Sequence, residues 1–462
     1  MEQRLILCQY LNNLRYNYLM KSFFKKLSIF LIIVSVPFSV YLLEQKTNFF
    51  GKASGTNANL EINTLSVTGP NKDSWRNLAQ GGEERGRMLL PVLDKVKALR
   101  PKYIRIDHVF DSYTDAELDQ TIRDIQATGA KPFIALSYMP PSMAKGGDIT
   151  EVPNDWGAWE SLVQRTVERI SGKSGLNITD VYYEVWNEPD LFGKFKTSGS
   201  KNYLDLYSHT VRAAMRAKGV NQFKIGGPAI TGYYPNWLSK LVSYSQTNGL
   251  RLDFLSWHTY SKDLEAFEES LVSVIRYPNM EFVISELGPN SENDPVYDTN
   301  FSAIHTIATA ALLDNSIDKL FNFEIKDGIG KDKYWGRWGM LTHEKWGTPE
   351  IKPRYKAMQF LNILSGGENI GVIGNGSWVK AIAKKQKNKI QVLIVNYDKS
   401  GKHSEAVPLK ITNLPSNNFN LKRIDFNGQT TQTNNITVEQ NTYETTMFFS
   451  PNTATILELS IN

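Results

Sequence analysis

From about residue 75 to 366 the chain alternates short apolar runs with longer amphipathic stretches. The runs RNLAQGG (76–82), YIRID (103–107), PFIALS (132–137), VYYEVW (181–186), FKIGGPA (223–229), DFLSWH (253–258), EFVISE (281–286) and LFNFEI (320–325) have the length and apolar content of buried strands. Between them lie stretches with helical periodicity: RMLLPVLDKVKAL, DAELDQTIRDIQATG, WGAWESLVQRTVERIS, KNYLDLYSHTVRAAMRAKG, PNWLSKLVSYSQTNG, LEAFEESLVSVIR and FSAIHTIATAALLD, with RYKAMQFLNIL last. Eight strands each followed by a helix predict an α/β fold, a closed parallel (β/α)8 TIM barrel over 75–366. Beyond it the period changes to two. VKAIAKKQKNKIQVLIVNYD reads as a hairpin, and VPLKITNL, FNLKRIDF, TYETTMFFS and TATILELSI as further strands. Residues 367–462 are therefore expected to form a C-terminal antiparallel β-sandwich. The segment 58–74, which contains ANLEINTLSVTG, is a candidate to donate a strand to it.

The N-terminal pattern is different. Leu27–Leu43 is uncharged and apolar, and Lys21, Lys25 and Lys26 precede it. This predicts a transmembrane signal-anchor over 27–43, with residues 1–26 cytoplasmic, a polar linker over 44–57 and the rest of the chain outside the cytoplasm. The alternative is a signal peptide that is cleaved, with secretion of the remainder. MKSFFKK from Met20 reads as a natural start, with the residues before it as an upstream extension.

Composition narrows the function classes. A formal charge of +5 over 462 residues, with no basic run interleaved with aromatics, gives no case for nucleic acid. A single cysteine, Cys8, excludes an intrachain disulfide, and the six histidines lack H-E-x-x-H spacing. No metal or cofactor is expected.

Barrel active sites lie at the C-terminal ends of the strands. The fourth strand ends Trp186-Asn187-Glu188-Pro189 and the seventh Ser285-Glu286-Leu287-Gly288; the sixth carries His258 and Tyr260, and the second Arg105, Asp107 and His108. Two carboxylates so placed suit glycoside hydrolysis, in which one group delivers a proton to the leaving oxygen and the other attacks the anomeric carbon. Arg105, His258 and Tyr260 are candidates to keep the attacking group ionised and aimed. Asn187 is a candidate for a sugar 2-hydroxyl. Glu184, on the same face as Trp186 and Glu188, reads as an internal ion-pair partner, with Arg105 the candidate cation. Trp335, Trp338 and Trp346 are candidates to line the cleft, as are Asn290 and Glu292 in the loop Pro289–Thr299, although loop packing accounts for the tryptophans equally well.

VYYEVWNEPDLF, FLSWHTYS, FVISELG and PFIALSYMPPSMA, the last containing Tyr138, resemble glycoside hydrolase family 39, as does GRWGMLTHEKWGTPEIKPRYKAMQFLN. The resemblance spans roughly Asn77 to Leu364. It implies retention of configuration, with Glu188 as acid/base and Glu286 as nucleophile. Around them Asn187, Arg105, Asp107, His108, Tyr138, Trp186, His258, Tyr260, Phe323 and Trp335 are the expected substrate-binding residues. Two departures stand out. The family's second strand usually reads R-F-H-G where this chain has Arg105-Ile106-Asp107-His108. Phe323 stands where a tryptophan commonly floors the sugar subsite. The resulting expectation is a membrane-tethered retaining glycosidase acting on an extracytoplasmic polysaccharide or oligosaccharide. The alternatives are a non-catalytic carbohydrate-binding scaffold of an exopolysaccharide system, or a transglycosylase using the same site.

Overall fold

The structure is a computed structural model that describes residues 55–81, 84, 86–333, 335–426 and 430–461. The expected cytoplasmic segment and signal-anchor, and all but the last residues of the linker, lie outside the described residues. Among the described residues no helix is long and apolar enough to cross a membrane.

The described chain opens with strand β1 (Leu60–Pro70) and then enters the barrel. The barrel strands are β2 (Asn77–Gln80), β3 (Tyr103–Ile106), β4 (Lys131–Leu136), β5 (Val181–Val185), β6 (Phe223–Ile230), β7 (Phe254–Tyr260), β8 (Glu281–Gly288) and β9 (Lys319–Phe323). All neighbours are parallel, and β9 pairs with β2 (Asn322 opposite Leu78) to close the ring. This is the eightfold pattern expected from the apolar runs. The helices between the strands begin where capping chemistry allows. Thr114 and Glu117 form a reciprocal capping box at Asp115–Ala127, and Asp155 and Asn202 cap Trp156–Ser171 and Tyr203–Arg216. The stretch LEAFEESLVSVIR, read as one helix, is split into Glu265–Glu268 and Leu271–Arg276.

Side chains fill the barrel interior. Ala79, Phe133, Tyr182, Phe254, Val283 and Phe321 form a packed inner layer, so the site above it rests on a solid floor. A polar cap lies at the opposite, N-terminal end, where Glu281 begins β8. Its carboxylate takes hydrogen bonds from the Tyr182 hydroxyl (2.8 Å) and from Lys319 and Lys224.

The β-rich remainder is a single nine-stranded sheet, mostly antiparallel, made of β1, β10 (Glu368–Ile373), β11 (Val379–Gln386), β12 (Lys389–Asn396), β13 (Glu405–Thr412), β14 (Asn418–Asp425), β15 (Thr430–Thr437), β16 (Tyr443–Phe449) and β17 (Thr453–Ile461). Its order is β15-β14-β17-β12-β11-β10-β1-β13-β16. Phe419 near one end and Met447 and Phe449 at the other belong to one apolar cluster, so the sheet folds over on itself as a sandwich does. Strand β1 lies inside it, antiparallel to β10 and parallel to β13 (Leu60 opposite Leu409).

Candidate active site

The fourth and seventh barrel strands are β5 and β8. Beyond Val185 the chain leaves the strand conformation: Trp186 and Glu188 both lie in the left-handed region, at φ 73° and 44°. For a tryptophan this is a costly backbone state, of the kind held only where surroundings enforce it. One enforcing contact is the Glu188 amide, which donates to Ala229 O at 2.9 Å. The turn breaks the alternation of a strand, and Asn187 and Glu188 both face the cleft as a result.

Trp186 does not reach the cleft, contrary to its expected place among the substrate contacts. The left-handed turn drives its indole into the core, fully buried, edge-on to Tyr138, Trp159 and Phe195.

The two glutamates are held from below. Arg105 is buried at the centre of a fork: Nε donates to Glu184 Oε2 (2.7 Å), Nη1 to Glu286 Oε1 (2.7 Å) and Nη2 to Asn187 Oδ1 (2.8 Å). The Tyr260 hydroxyl donates to the other Glu286 oxygen at 2.7 Å. A register shift between β7 and β8 sets His258 opposite Glu286. His258 Nδ1 lies 2.7 Å from Glu188 Oε1 and 3.6 Å from Glu286 Oε2, so one imidazole touches both carboxyl groups. An oxygen of Glu188 and one of Glu286 lie within 4.8 Å of each other. Asn187 Nδ2 donates to the Tyr138 hydroxyl at 2.8 Å.

Arg105 and His258 were expected among the substrate contacts, yet both are buried behind the carboxylates and belong to their support. Burial alone disfavours charge on either. The neighbouring carboxylates win, with Glu184, Glu286 and Asp107 raising the Arg105 pKa and Glu286 and Glu188 raising that of His258. Burial likewise raises the Glu286 carboxyl above the usual carboxylate range, against the pull of His258 and Arg105.

The cleft above has a volume of about 670 Å³. Asp107, His108, Tyr138, Asn187, Glu188, Tyr260, Glu286, Phe323 and Trp335 all line it, and so does Trp338. An aromatic series runs from its rim to Tyr260, the partner of Glu286. Trp335 meets Trp338 (centroids 6.4 Å apart), Trp338 meets Phe323 (6.5 Å), and Phe323 meets Tyr260 (6.4 Å). The Trp335 side chain lies on glycine backbone, and a Cβ at Gly330 would meet its Cβ at 2.3 Å and its indole Cγ at 2.4 Å. Trp346 is absent from the lining, its ring covered instead by Lys345. Asn290 and Glu292 are absent too, because Asn290 bonds the Glu292 amide and Asp294 and ties up its own loop.

Sequence reasoning passed over a further carboxyl in the cleft. Glu324, just past β9, is buried and accepts from Gln80 Nε2 (2.7 Å) and the Gly81 amide (3.3 Å). The signal for it was an acid at the end of the mostly apolar run LFNFEI. Burial pushes its pKa well above the carboxylate range, and the nearby Asp327, Glu286 and Asp107 push it the same way. Folding therefore takes up a proton. The stability that this neutral carboxyl allows is fully present below the unfolded glutamate pKa of about 4.3, and it declines as pH rises through the folded value. Glu324→Gln keeps a neutral acceptor for Gln80 and Gly81. Its melting temperature is expected to gain on wild type by a few degrees between pH 5 and pH 8, as read by thermal unfolding at both. An unchanged difference between the two proteins at both pH values would show that Glu324 folds ionised.

The family model for glycosyl hydrolases family 39 matches residues 87–322, just over half of the chain. A beta-xylosidase of Caldicellulosiruptor saccharolyticus is 26% identical over 323 residues, which cover 62% of this chain and 64% of that protein. A beta-xylosidase of Geobacillus stearothermophilus is 24% identical over 292 residues, covering 54% and 56%. The chain thus spans less than two thirds of the length of these relatives. Among solved structures, a monomeric beta-xylosidase from Caulobacter crescentus CB15 superposes with a TM-score of 0.71 at 17% identity, covering 87% of this chain and 99% of that one. The GH39 enzyme from Xanthomonas axonopodis pv. citri gives 0.68 at 17% identity, covering 88% and 98%. At such identities these structures establish the shared fold, and the matched family model establishes more: the chain belongs to glycosyl hydrolases family 39.

Proposed function

We propose that the chain is a retaining glycoside hydrolase that cleaves O-glycosidic bonds by double displacement, with Glu286 as nucleophile and Glu188 as acid/base. The observation that carries this reading is the approach of the two carboxyl groups to within 4.8 Å on the floor of the cleft. Retaining enzymes hold their pair about 5–5.5 Å apart, whereas inverting enzymes leave about 6.5–9.5 Å for a water.

In the first step a Glu286 oxygen bonds to the anomeric carbon as the glycosidic C–O bond breaks, and the Glu188 proton passes to the leaving oxygen. In the second, water attacks the same carbon, its proton goes to Glu188, and Glu286 is released. Arg105 and Tyr260 each hold one oxygen of Glu286, which aims the carboxylate, and Arg105 with His258 opposes the effect of burial on its charge. Asn187, fixed between Arg105 and Tyr138, is positioned for the sugar 2-hydroxyl. The names of the curated relatives make β-xylosides the first substrates to try.

The test is a panel of aryl glycosides, oligosaccharides and polysaccharides, with the first-formed anomer followed by NMR. Turnover with retained configuration is expected. An inverted first product would overturn the double displacement, and binding without turnover across the panel would make the protein a carbohydrate-binding scaffold.

The apolar run Leu27–Leu43 and the lysines before it support a tethered enzyme acting outside the cytoplasm on a polysaccharide or oligosaccharide. Membranes from cells expressing the full chain are expected to retain it through a carbonate wash. Release of a shortened soluble protein would show cleavage instead.

A further inference from the structure

The turn after Glu188 carries two large apolar side chains that the reaction chemistry does not use. Leu191 is 54% exposed and Phe192 42%, and both line the cleft. Single exposed apolar residues are ordinary. These two are adjacent, and the turn that displays them is well fixed. Their amides donate to the Glu188 carbonyl at 3.0 and 2.8 Å. Between Glu188 and Leu191, Asp190 Oδ1 accepts from the Thr231 amide at 3.1 Å. The Phe192 ring sits edge-on to Tyr138, with centroids 5.8 Å apart.

Ile149 and Thr150 extend the same side of the cleft, since the Thr150 carbonyl abuts the backbone at Gly193. Polar groups on this wall are already engaged. The Thr150 hydroxyl donates to Asp148 (2.8 Å), and the Asp190 carboxylate is taken by Thr231. A sugar ring resting here would leave its hydroxyls without side-chain partners, whereas a hydrocarbon group would cover Leu191 and Phe192 and strand nothing polar.

We propose that Leu191 and Phe192, with Ile149, form the leaving-group subsite, and that it takes an aglycone with an aryl or alkyl moiety. The inference rests on Glu188 being the proton donor. The leaving oxygen must then lie within hydrogen-bond reach of Glu188, and whatever it carries passes over the turn that Glu188 begins. This narrows the polysaccharide or oligosaccharide of that reading to an oligosaccharide joined to an apolar group, cleaved at that junction in preference to a bond between two polar sugars.

The test separates binding from turnover. Glu286→Gln holds substrate without reacting, and calorimetry on it compares methyl β-D-xyloside, octyl β-D-xyloside below its critical micelle concentration, and xylobiose. Octyl xyloside is expected to bind about tenfold or more tighter than methyl xyloside, the gain from covering one large apolar side chain. In the same background Leu191→Ser and Phe192→Ser, both at exposed positions, are each expected to reduce that octyl-to-methyl ratio several-fold. The inference is overturned by a ratio near one, by a ratio that survives both substitutions, by xylobiose binding tighter than octyl xyloside, or by no detectable binding of octyl xyloside. Failure of the hydrolase reading shows separately, as wild-type protein that binds these glycosides and turns none over.

Discussion

Glu286→Ala is expected to lower turnover on every glycoside by at least ~10⁴-fold, because it removes the group proposed to form the covalent intermediate. Its neighbours make the loss clean. Arg105 keeps Glu184 and Asn187 as partners and Tyr260 loses one acceptor, so the buried guanidinium remains paired and the fold is expected to hold. The space vacated by the carboxylate is bounded by an arginine and a tyrosine hydroxyl, both suited to a small anion. Azide is therefore expected to enter it, attack an activated aryl glycoside in a single displacement, and yield a glycosyl azide of inverted configuration. Kinetics with and without azide, and NMR of the product, check both parts. Retention of more than a tenth of wild-type turnover by Glu286→Ala would place the nucleophile elsewhere.

Glu188→Ala is expected to have an effect that depends on the leaving group. An alkyl glycoside needs its oxygen protonated and is expected to slow by about 10²–10⁴-fold. A dinitrophenyl glycoside needs little help and should still glycosylate Glu286. Deglycosylation then lacks its base, so the intermediate should accumulate and appear as a burst of phenol. Azide should relieve this second step, arriving from the face that Glu188 occupied and giving a glycosyl azide of retained configuration. The wild-type pH profile is expected to be a bell, and the variant should lose its alkaline limb, which reports the proton donor. Equal slowing of both substrates, with the limb retained and no response to azide, would move the donor role to Asp107, which lines the same cleft.

The barrel was legible because each strand is a short apolar run bounded by turns and followed by a helical period, and the parallel closure follows from that alternation. Strands β10 and β15 escaped notice for a physical reason. ENIGVI buries little of its length, and TTQTNNIT has a single apolar residue, Ile436, so neither writes an apolar alternation; sheet neighbours specify them instead. The strand ends at Glu188 and Glu286 were legible as acids closing apolar runs. The support beneath them was legible only in part. Glu184 on the face shared with Glu188 suggested the pairing with Arg105, but nothing local shows that His258 would bridge both carboxyls, because that depends on a register shift between two strands. Trp186 was misplaced because a strand was read through it, and a left-handed turn cannot be seen in residue types that seldom adopt one. Glu324 was overlooked because its environment is built by Gln80 and Gly81, more than two hundred positions away.

Strand β1 has a consequence for synthesis. It precedes the barrel, while its two sheet partners, β10 and β13, follow it. A ribosome working at about 5–20 residues per second reaches β10 roughly 15–60 s after it has finished β1. For that interval a strand with alternate apolar residues, Leu60 and Ile62 among them, has emerged with neither edge paired, the condition in which strands join the wrong chain. The barrel can close in the meantime, since none of its eight strands waits for the later sheet. Nascent chains halted just past the barrel would thus join a folded barrel to an adhesive leading strand, and the last hundred residues act, late in translation, to sequester it.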